Sequence, residues 1–285
     1  MRGTLSPRSP SVTDQDRGPG SVAAPVGETL AGLLEFAVEI ATEAGAATLR
    51  HFGGVVASDA KADGTPVTRA DREAEALLRR RISHRFPNDR ILGEEQGEEK
   101  TQPGTHTRRW IVDPIDGTRA FMRGVPLYGV LVALEVAGEP VLGVAHFPAL
   151  GETVAAAVGQ GCYRDGVSAT VNRVAELGRA LALTSDPGFT AGSAAGAGWS
   201  RLTSTVAYTR SWGDAYGHCM VATGRAEIML DPAELAPWDA APLLPILTEA
   251  GGRFTDLQGR PTIHGGSGLS TNGLVHDETL AILND

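Results

Sequence analysis

The stretch Asp113-Pro114-Ile115-Asp116-Gly117-Thr118 carries two carboxylates three residues apart, with a proline that fixes the turn between them. Such a turn can aim both acids at one point. Magnesium is a hard cation that takes oxygen ligands and keeps water and phosphate oxygens on its other positions, so a partly open carboxylate cluster suits it. Gly117 and Thr118 add small residues with free backbone N–H groups, and a helix starting there would make a phosphate seat beside the cations. The same string is also an ordinary helix-capping surface turn, because Asp, Pro and Gly are common turn residues. The pattern elsewhere in the chain weighs against that plain reading. Glu94-Glu95 follows Ile91-Leu92, Asp113 and Asp116 follow Trp110-Ile111-Val112, and Asp239 follows Trp238 at the start of an apolar run.

The elements that must position these acids are legible from periodicity. From Thr29 apolar residues recur at helical spacing through Leu33, Phe36, Ala37, Ile40 and Ala44, which predicts an amphipathic helix ending near Phe52. A polar loop, Lys61 to Pro66, leads to a second helix with its stripe at Ala70, Ala74, Leu78, Ile82 and Phe86 and its cap at Thr68. Short strands ending in acidic turns follow. Leu127–Val136, Val141–Phe147 and Glu152–Val158 then read as an antiparallel meander. The second half alternates: strands at Ala180–Thr184, Val206–Thr209 and Ala226–Leu230, helices at Asp214–Ala222 and Trp238–Ala250, and Gly251-Gly252 as a C-cap.

The formal charge of −9 argues against a nucleic-acid backbone as partner, because that role needs a basic stripe to displace counterions. Cys162 and Cys219 are far apart and form no CxxC, so neither a disulfide framework nor a thiolate zinc site is expected, and a reducing cytoplasm fits. No apolar run is long enough to span a bilayer. Residues 1–27, rich in Ser, Pro, Gly and Arg, read as a disordered tail before a domain over 28–285, with an α+β half to about 178 and an α/β half from about 179.

Gly93-Glu94-Glu95, then Trp110-Ile111-Val112-Asp113-Pro114-Ile115-Asp116-Gly117-Thr118, then Trp238-Asp239-Ala240 with Glu249-Ala250-Gly251-Gly252 resemble the paired signatures of the inositol monophosphatase family, in the family's order from about Thr29 to the C-terminus. The resemblance implies an α/β (α+β) fold, a layered α-β-α-β-α sandwich, and a homodimer. It implies that Glu94, Asp113, the Ile115 carbonyl, Asp116 and Asp239 bind two or three magnesium ions, with Glu95 and Lys61 behind them and Asp63 in the same loop as Lys61. It further implies that Asp71 and Thr118 orient and deprotonate the attacking water, and that Gly117 and Thr118 receive the phosphate. Asp71 has a structural reading as well, since Thr68-Arg69-Ala70-Asp71 is a capping-box string. A metal that lowers the pKa of water, with cations screening the attacking and leaving oxygens, needs no side-chain nucleophile.

The substrate is expected to be a small phosphorylated metabolite, without nucleic acid or membrane. Arg210-Ser211-Trp212-Gly213-Asp214-Ala215-Tyr216-Gly217-His218 resembles the histidinol-phosphate phosphatase branch of that family. Histidinol phosphate carries an ammonium group, so Asp214 and Asp231 facing the leaving group would pair with it, whereas a neutral polyol gains less. Asp214 also reads as an N-cap. Arg210 is expected to touch substrate or a second subunit, and His218 either lines the leaving-group pocket or packs. An inositol-1-monophosphatase or broad sugar phosphatase remains the alternative within this chemistry. A non-catalytic protein holding a structural metal is the alternative outside it.

Overall fold

The computed structural model describes residues 28–54, 56–60, 66–98, 107–186, 188 and 194–285. The expected tail over residues 1–27, and Lys61 and Asp63, lie outside the described residues. In chain order the first part holds α1 (Leu30–Leu49), β1 (Ser58–Ala60), β2 (Pro66–Thr68), α2 (Arg69–Arg85), β3 (Arg90–Gly93), β4 (Gly97–Glu98), β5 (Arg108–Asp116) and α3 (Thr118–Met122). Next come β6 (Gly129–Val136), β7 (Glu139–Phe147), β8 (Glu152–Ala157), β9 (Gly161–Arg164) and β10 (Val167–Ala169). The remainder holds β11 (Leu181–Thr184), α4 (Ala194–Thr205), β12 (Tyr208–Arg210), α5 (Asp214–Ala222), β13 (Ile228–Leu235), α6 (Pro237–Glu249), β14 (Arg253–Thr255), β15 (Gly266–Thr271) and α7 (His276–Asn284).

Local chemistry accounts for the helix starts. Thr29 caps α1 by accepting the Gly32 N–H at 3.1 Å, and the predicted stripe Leu33, Phe36, Ala37, Ile40 and Ala44 is buried. Thr68 caps α2 in a full capping box closed by Asp71. α6 ends as expected: Gly251 sits at φ +81°, its N–H reaches the Thr248 carbonyl at 3.0 Å, and Gly252 N–H reaches Leu247 at 2.9 Å. This Schellman pattern requires a left-handed residue, which glycine adopts without strain.

Among the described residues the strands form an eight-stranded sheet in the order β10-β9-β8-β7-β6-β5-β3-β4 and a five-stranded sheet in the order β12-β11-β13-β15-β14. The meander β6-β7-β8 is antiparallel, while β3 joins β5 in parallel. β6 is buried on both faces from Gly129 to Glu135, because α1 and α2 cover one side of the large sheet and α6 covers the other. α5 and α6 fill the space between the sheets, and Trp199 and Leu202 of α4 with Leu283 of α7 cover the far face of the smaller sheet. The layers are therefore helix, sheet, helix, sheet, helix, the expected five-layer sandwich. Gly143 on β7 lets sheet and helix approach closely, since a Cβ there would lie 2.1 Å from the Pro242 carbonyl oxygen of α6.

The second half departs from the sequence reading in detail. The Gly/Ala-rich stretch after Thr184 leads into α4, where small residues let the helix sit close on α7: a Cβ at Gly198 would lie 2.3 Å from Leu283 O. β13 does not stop at Leu230 but continues to Leu235 across an irregularity in its pairing with β15 between Asp231 and Leu235. Asp231 is thus inside a strand, at a break in its ladder.

Candidate active site

The two acids of the Asp-Pro-Ile-Asp turn reach one side of the sheet through a register shift. Asp113 pairs with Leu131 and Asp116 with Gly129, so three steps on β5 face two on β6. Residues three apart on a regular strand point to opposite faces; the extra residue, supplied where Pro114 lacks an N–H for the ladder, brings both carboxylates to the same face. Asp113 Oδ1 accepts the Ile115 N–H at 2.9 Å, and the Thr118 hydroxyl donates to the Ile115 carbonyl at 3.0 Å. Asp116 Oδ2 accepts the Ala215 N–H at 2.9 Å, tying the first sheet to the start of α5. Gly117 takes a left-handed φ of 78°, and a Cβ there would sit 3.0 Å from Asp214 Oδ2. Asp239 enters from the first turn of α6, where its Oδ2 accepts the Ala236 N–H at 2.8 Å.

Asp113, Asp116 and Asp239 each offer an oxygen, and these lie within 4.8 Å of one another. Glu94, just past β3, lines the same cavity. The electrostatic cost of the cluster is plain. Burial, then Glu94, Asp239 and Asp116, push the Asp113 carboxyl well above the usual range; burial, then Asp214 and Asp239, do the same to Asp116. Burial, with Glu94 adding to it, pushes Asp239 up to about 7. Carboxylates packed this way hold either shared protons or cations.

Asp71 stands behind Glu94. Its Oδ2 accepts the Thr68 N–H at 2.7 Å and the Thr68 hydroxyl at 2.5 Å, while its buried Oδ1 has no hydrogen-bond partner among the described residues. Burial, and to a lesser degree Glu94, raise its pKa. The capping box thus uses one oxygen and leaves the other free for a ligand. An all-oxygen donor set, mutually repelling acids and an orphaned carboxylate oxygen together fit a hard divalent cation with its water.

The same open cavity, about 430 Å³ in volume, is also lined by Ser185, Asp186, Ser211, Gly213, Asp214, His218 and Asp231. Asp214 is the first residue of α5, with Gly213 as the N-cap, so the expected N-cap role belongs to Gly213. Burial and then Asp231 push the Asp214 carboxyl up to about 6. Asp231 Oδ2 faces His218 Nε2 at 3.0 Å, its Oδ1 accepts the Ser185 hydroxyl, and Ser185 Oγ accepts the Asp214 N–H at 2.8 Å.

The structure thus gathers Glu94, Asp113, Ile115, Asp116, Gly117, Thr118, Asp214, Asp231 and Asp239 in one cavity, with Asp71 against it. It does not bring Arg210 there: that residue is exposed on the edge strand β12, donating to the Thr209 carbonyl at 2.7 Å with its cation over Tyr208. Glu95 does not line the cavity, and its N–H bonds Glu75 Oε2 at 2.7 Å. Lys61 lies outside the described residues.

Glu75 and Ser185 are the residues that sequence reading passed over. Glu75 is fully buried on α2, accepts from Glu95 N, Gln96 N at 3.1 Å and Arg79 Nε at 2.8 Å, and so clamps the turn that presents Glu94. A signal was available: Asp71, Glu75 and Arg79 recur every four residues on the same apolar face as Ala74, Leu78 and Ile82. For Ser185 no local pattern distinguishes it from any serine after a strand.

A sequence model of the inositol monophosphatase family matches residues 29–284. The histidinol-phosphatase of Chlorobaculum parvum is 43% identical over 252 residues, covering 88% of this chain and 96% of the relative. That of Mycobacterium tuberculosis is 40% identical over 261 residues, covering 88% and 97%. The IMPase of Thermotoga maritima, a solved structure, superposes with a TM-score of 0.80 at 32% identity, covering 88% of this chain and 96% of that one.

Proposed function

The chain belongs to the inositol monophosphatase family and is a phosphatase, and on that premise we propose that its substrate is L-histidinol phosphate, hydrolysed with magnesium to L-histidinol and phosphate. The observation that carries the substrate is the pair Asp214 and Asp231, which line the same cavity beside the Asp113, Asp116 and Asp239 cluster. A phosphate monoester whose phosphate sits at the cluster would set its leaving group against these two carboxylates. An ammonium group there is neutralised and hydrogen-bonded, whereas a polyol leaves a buried charge uncompensated.

Glu94, Asp113, the Ile115 carbonyl, Asp116 and Asp239 would hold two or three magnesium ions, which when bound screen the phosphate charge and make water acidic enough to attack. Asp71 Oδ1, buried and without a partner among the described residues, would serve as the base that takes a proton from the attacking water. The Thr118 hydroxyl, aligned on the Ile115 carbonyl, orients the water with it, and the turn at Gly117 and Thr118 receives the phosphate oxygens. Glu95 supports the Glu94 turn through its backbone. Arg210, exposed beside Tyr208 and Trp212, serves subunit contact in a homodimer better than it serves its own cavity. The reading places the protein in the cytoplasm as a histidine-biosynthesis enzyme.

The experiment is phosphate release from a panel of monoesters, with and without magnesium. L-histidinol phosphate should give the highest kcat/KM, and chelation should abolish turnover. A preference for inositol 1-phosphate would refute the substrate. Full turnover in metal-free buffer would refute the metal cluster.

A further inference from the structure

Four hydrogen bonds beside the acidic cluster converge on Asp231. His218 is fully buried, with Nδ1 2.6 Å from the hydroxyl of Ser270, also fully buried, and Nε2 3.0 Å from Asp231 Oδ2. In the Nε2–H tautomer the ring donates to Asp231 Oδ2, and Nδ1 accepts from the Ser270 hydroxyl. On the other side the Ser185 hydroxyl donates to Asp231 Oδ1, and its oxygen accepts the Asp214 N–H. In that tautomer the donors on both sides, from Ser270 through His218 and from Ser185, point toward Asp231.

We propose that His218, set in its Nε2–H tautomer by Ser270, is a positioning residue for substrate choice: it anchors Asp231 as a fixed anion facing the leaving group. Asp231 sits close enough to Asp116 and Asp239 to repel them, so an untethered side chain there could swing toward the cations instead. The imidazole N–H and the Ser185 O–H take one lone pair on each oxygen, hold the carboxylate plane, and leave the remaining lone pairs for a ligand. Donors already in place cost no reorganisation when the ligand arrives. The ligand class is a phosphate monoester whose alcohol part bears an ammonium group, and in this the inference rests on the substrate reading above.

Kinetics on parent, His218→Leu and His218→Gln with L-histidinol phosphate and with inositol 1-phosphate test it. Losing a charge-assisted hydrogen bond should raise KM for histidinol phosphate by about tenfold more in His218→Leu than it changes KM for inositol phosphate, with kcat much less affected; Gln, which keeps an N–H donor, should recover part of the loss. Equal losses on both substrates, or an unchanged ratio, would overturn the proposal. Nitrogen-15 NMR of the parent needs no folded variant: it should show one buried histidine protonated at Nε2 and bare at Nδ1, and the reverse pattern for His218 would also overturn it. A parent that prefers inositol phosphate refutes the substrate reading instead, and the kinetics without any variant reveal that separately.

Discussion

Replacing Glu75 by glutamine tests whether the site depends on a residue that never touches the cavity. The Glu75 carboxylate is fully buried and, among the described residues, accepts the N–H groups of Glu95 and Gln96 and Arg79 Nε, while Arg79 also donates to the Gly97 carbonyl at 2.5 Å. Glutamine has the same shape but turns an NH2 toward one of those donors and removes the charge opposite the buried Arg79. Breaking one side of a buried ion pair costs about 3–5 kcal/mol, and the amide oxygen recovers part of it, so a loss of about 3 kcal/mol is expected. For a chain of this size that corresponds to a fall in Tm of roughly 6–12 °C. Since the bonded amides belong to the turn that presents Glu94, magnesium affinity measured by calorimetry should weaken as well, at temperatures where the variant is fully folded. A Tm within about 2 °C of the parent would refute the energetic argument. A lowered Tm with unchanged magnesium affinity would refute the claim that the clamp positions Glu94.

Asp214→Asn should lower kcat/KM for L-histidinol phosphate by roughly 10-fold to 100-fold, the worth of one charge-assisted hydrogen bond, and should lower it less for inositol 1-phosphate; equal losses in the two assays would remove Asp214 from the leaving-group seat. His276 is buried between Thr271 at 2.9 Å from Nδ1 and Thr255 at 3.2 Å from Nε2, and burial, then Arg253, lower its pKa to about 4. Its folded pKa is depressed, so its contribution is complete above the ordinary histidine range near 6.5 and is lost as pH falls toward 4, up to about 3 kcal/mol; denaturant titrations should show the parent losing that stability relative to His276→Gln across this window, and parallel curves would contradict it. Gly143→Ala forces a methyl onto the Pro242 carbonyl, so it should cost at least about 1–3 kcal/mol in denaturant unfolding, and a neutral result would mean that α6 can move off the sheet.

What was legible in the sequence follows from local physics. The stripes of α1 and α2, the Thr68 capping box, the meander and the Gly251 helix stop each depend on residues within a few positions of one another, and each appears where the spacing puts it. The acidic signatures were legible too, because the turn of Asp113 and Asp116 has a local reason to exist. Where the reading was incomplete, the deciding partner lay far along the chain. Asp214 looked like an N-cap, yet Gly213 caps the helix and Asp214 faces a glycine nearly one hundred residues earlier. Arg210 stood in the same motif as Asp214, but an edge strand turns it to solvent.

The chain's own pattern therefore determined most helices and strands of the first half, the α5 and α6 segments of the second, and which residue types could bind cations. Only the tertiary structure decided which acids share a cavity, that Glu75 holds the Glu94 turn, and that His218, Ser270 and Ser185 converge on Asp231. The reason is that burial and hydrogen-bond direction depend on packing between elements, and local spacing carries no information about which distant group will occupy the other end of a bond.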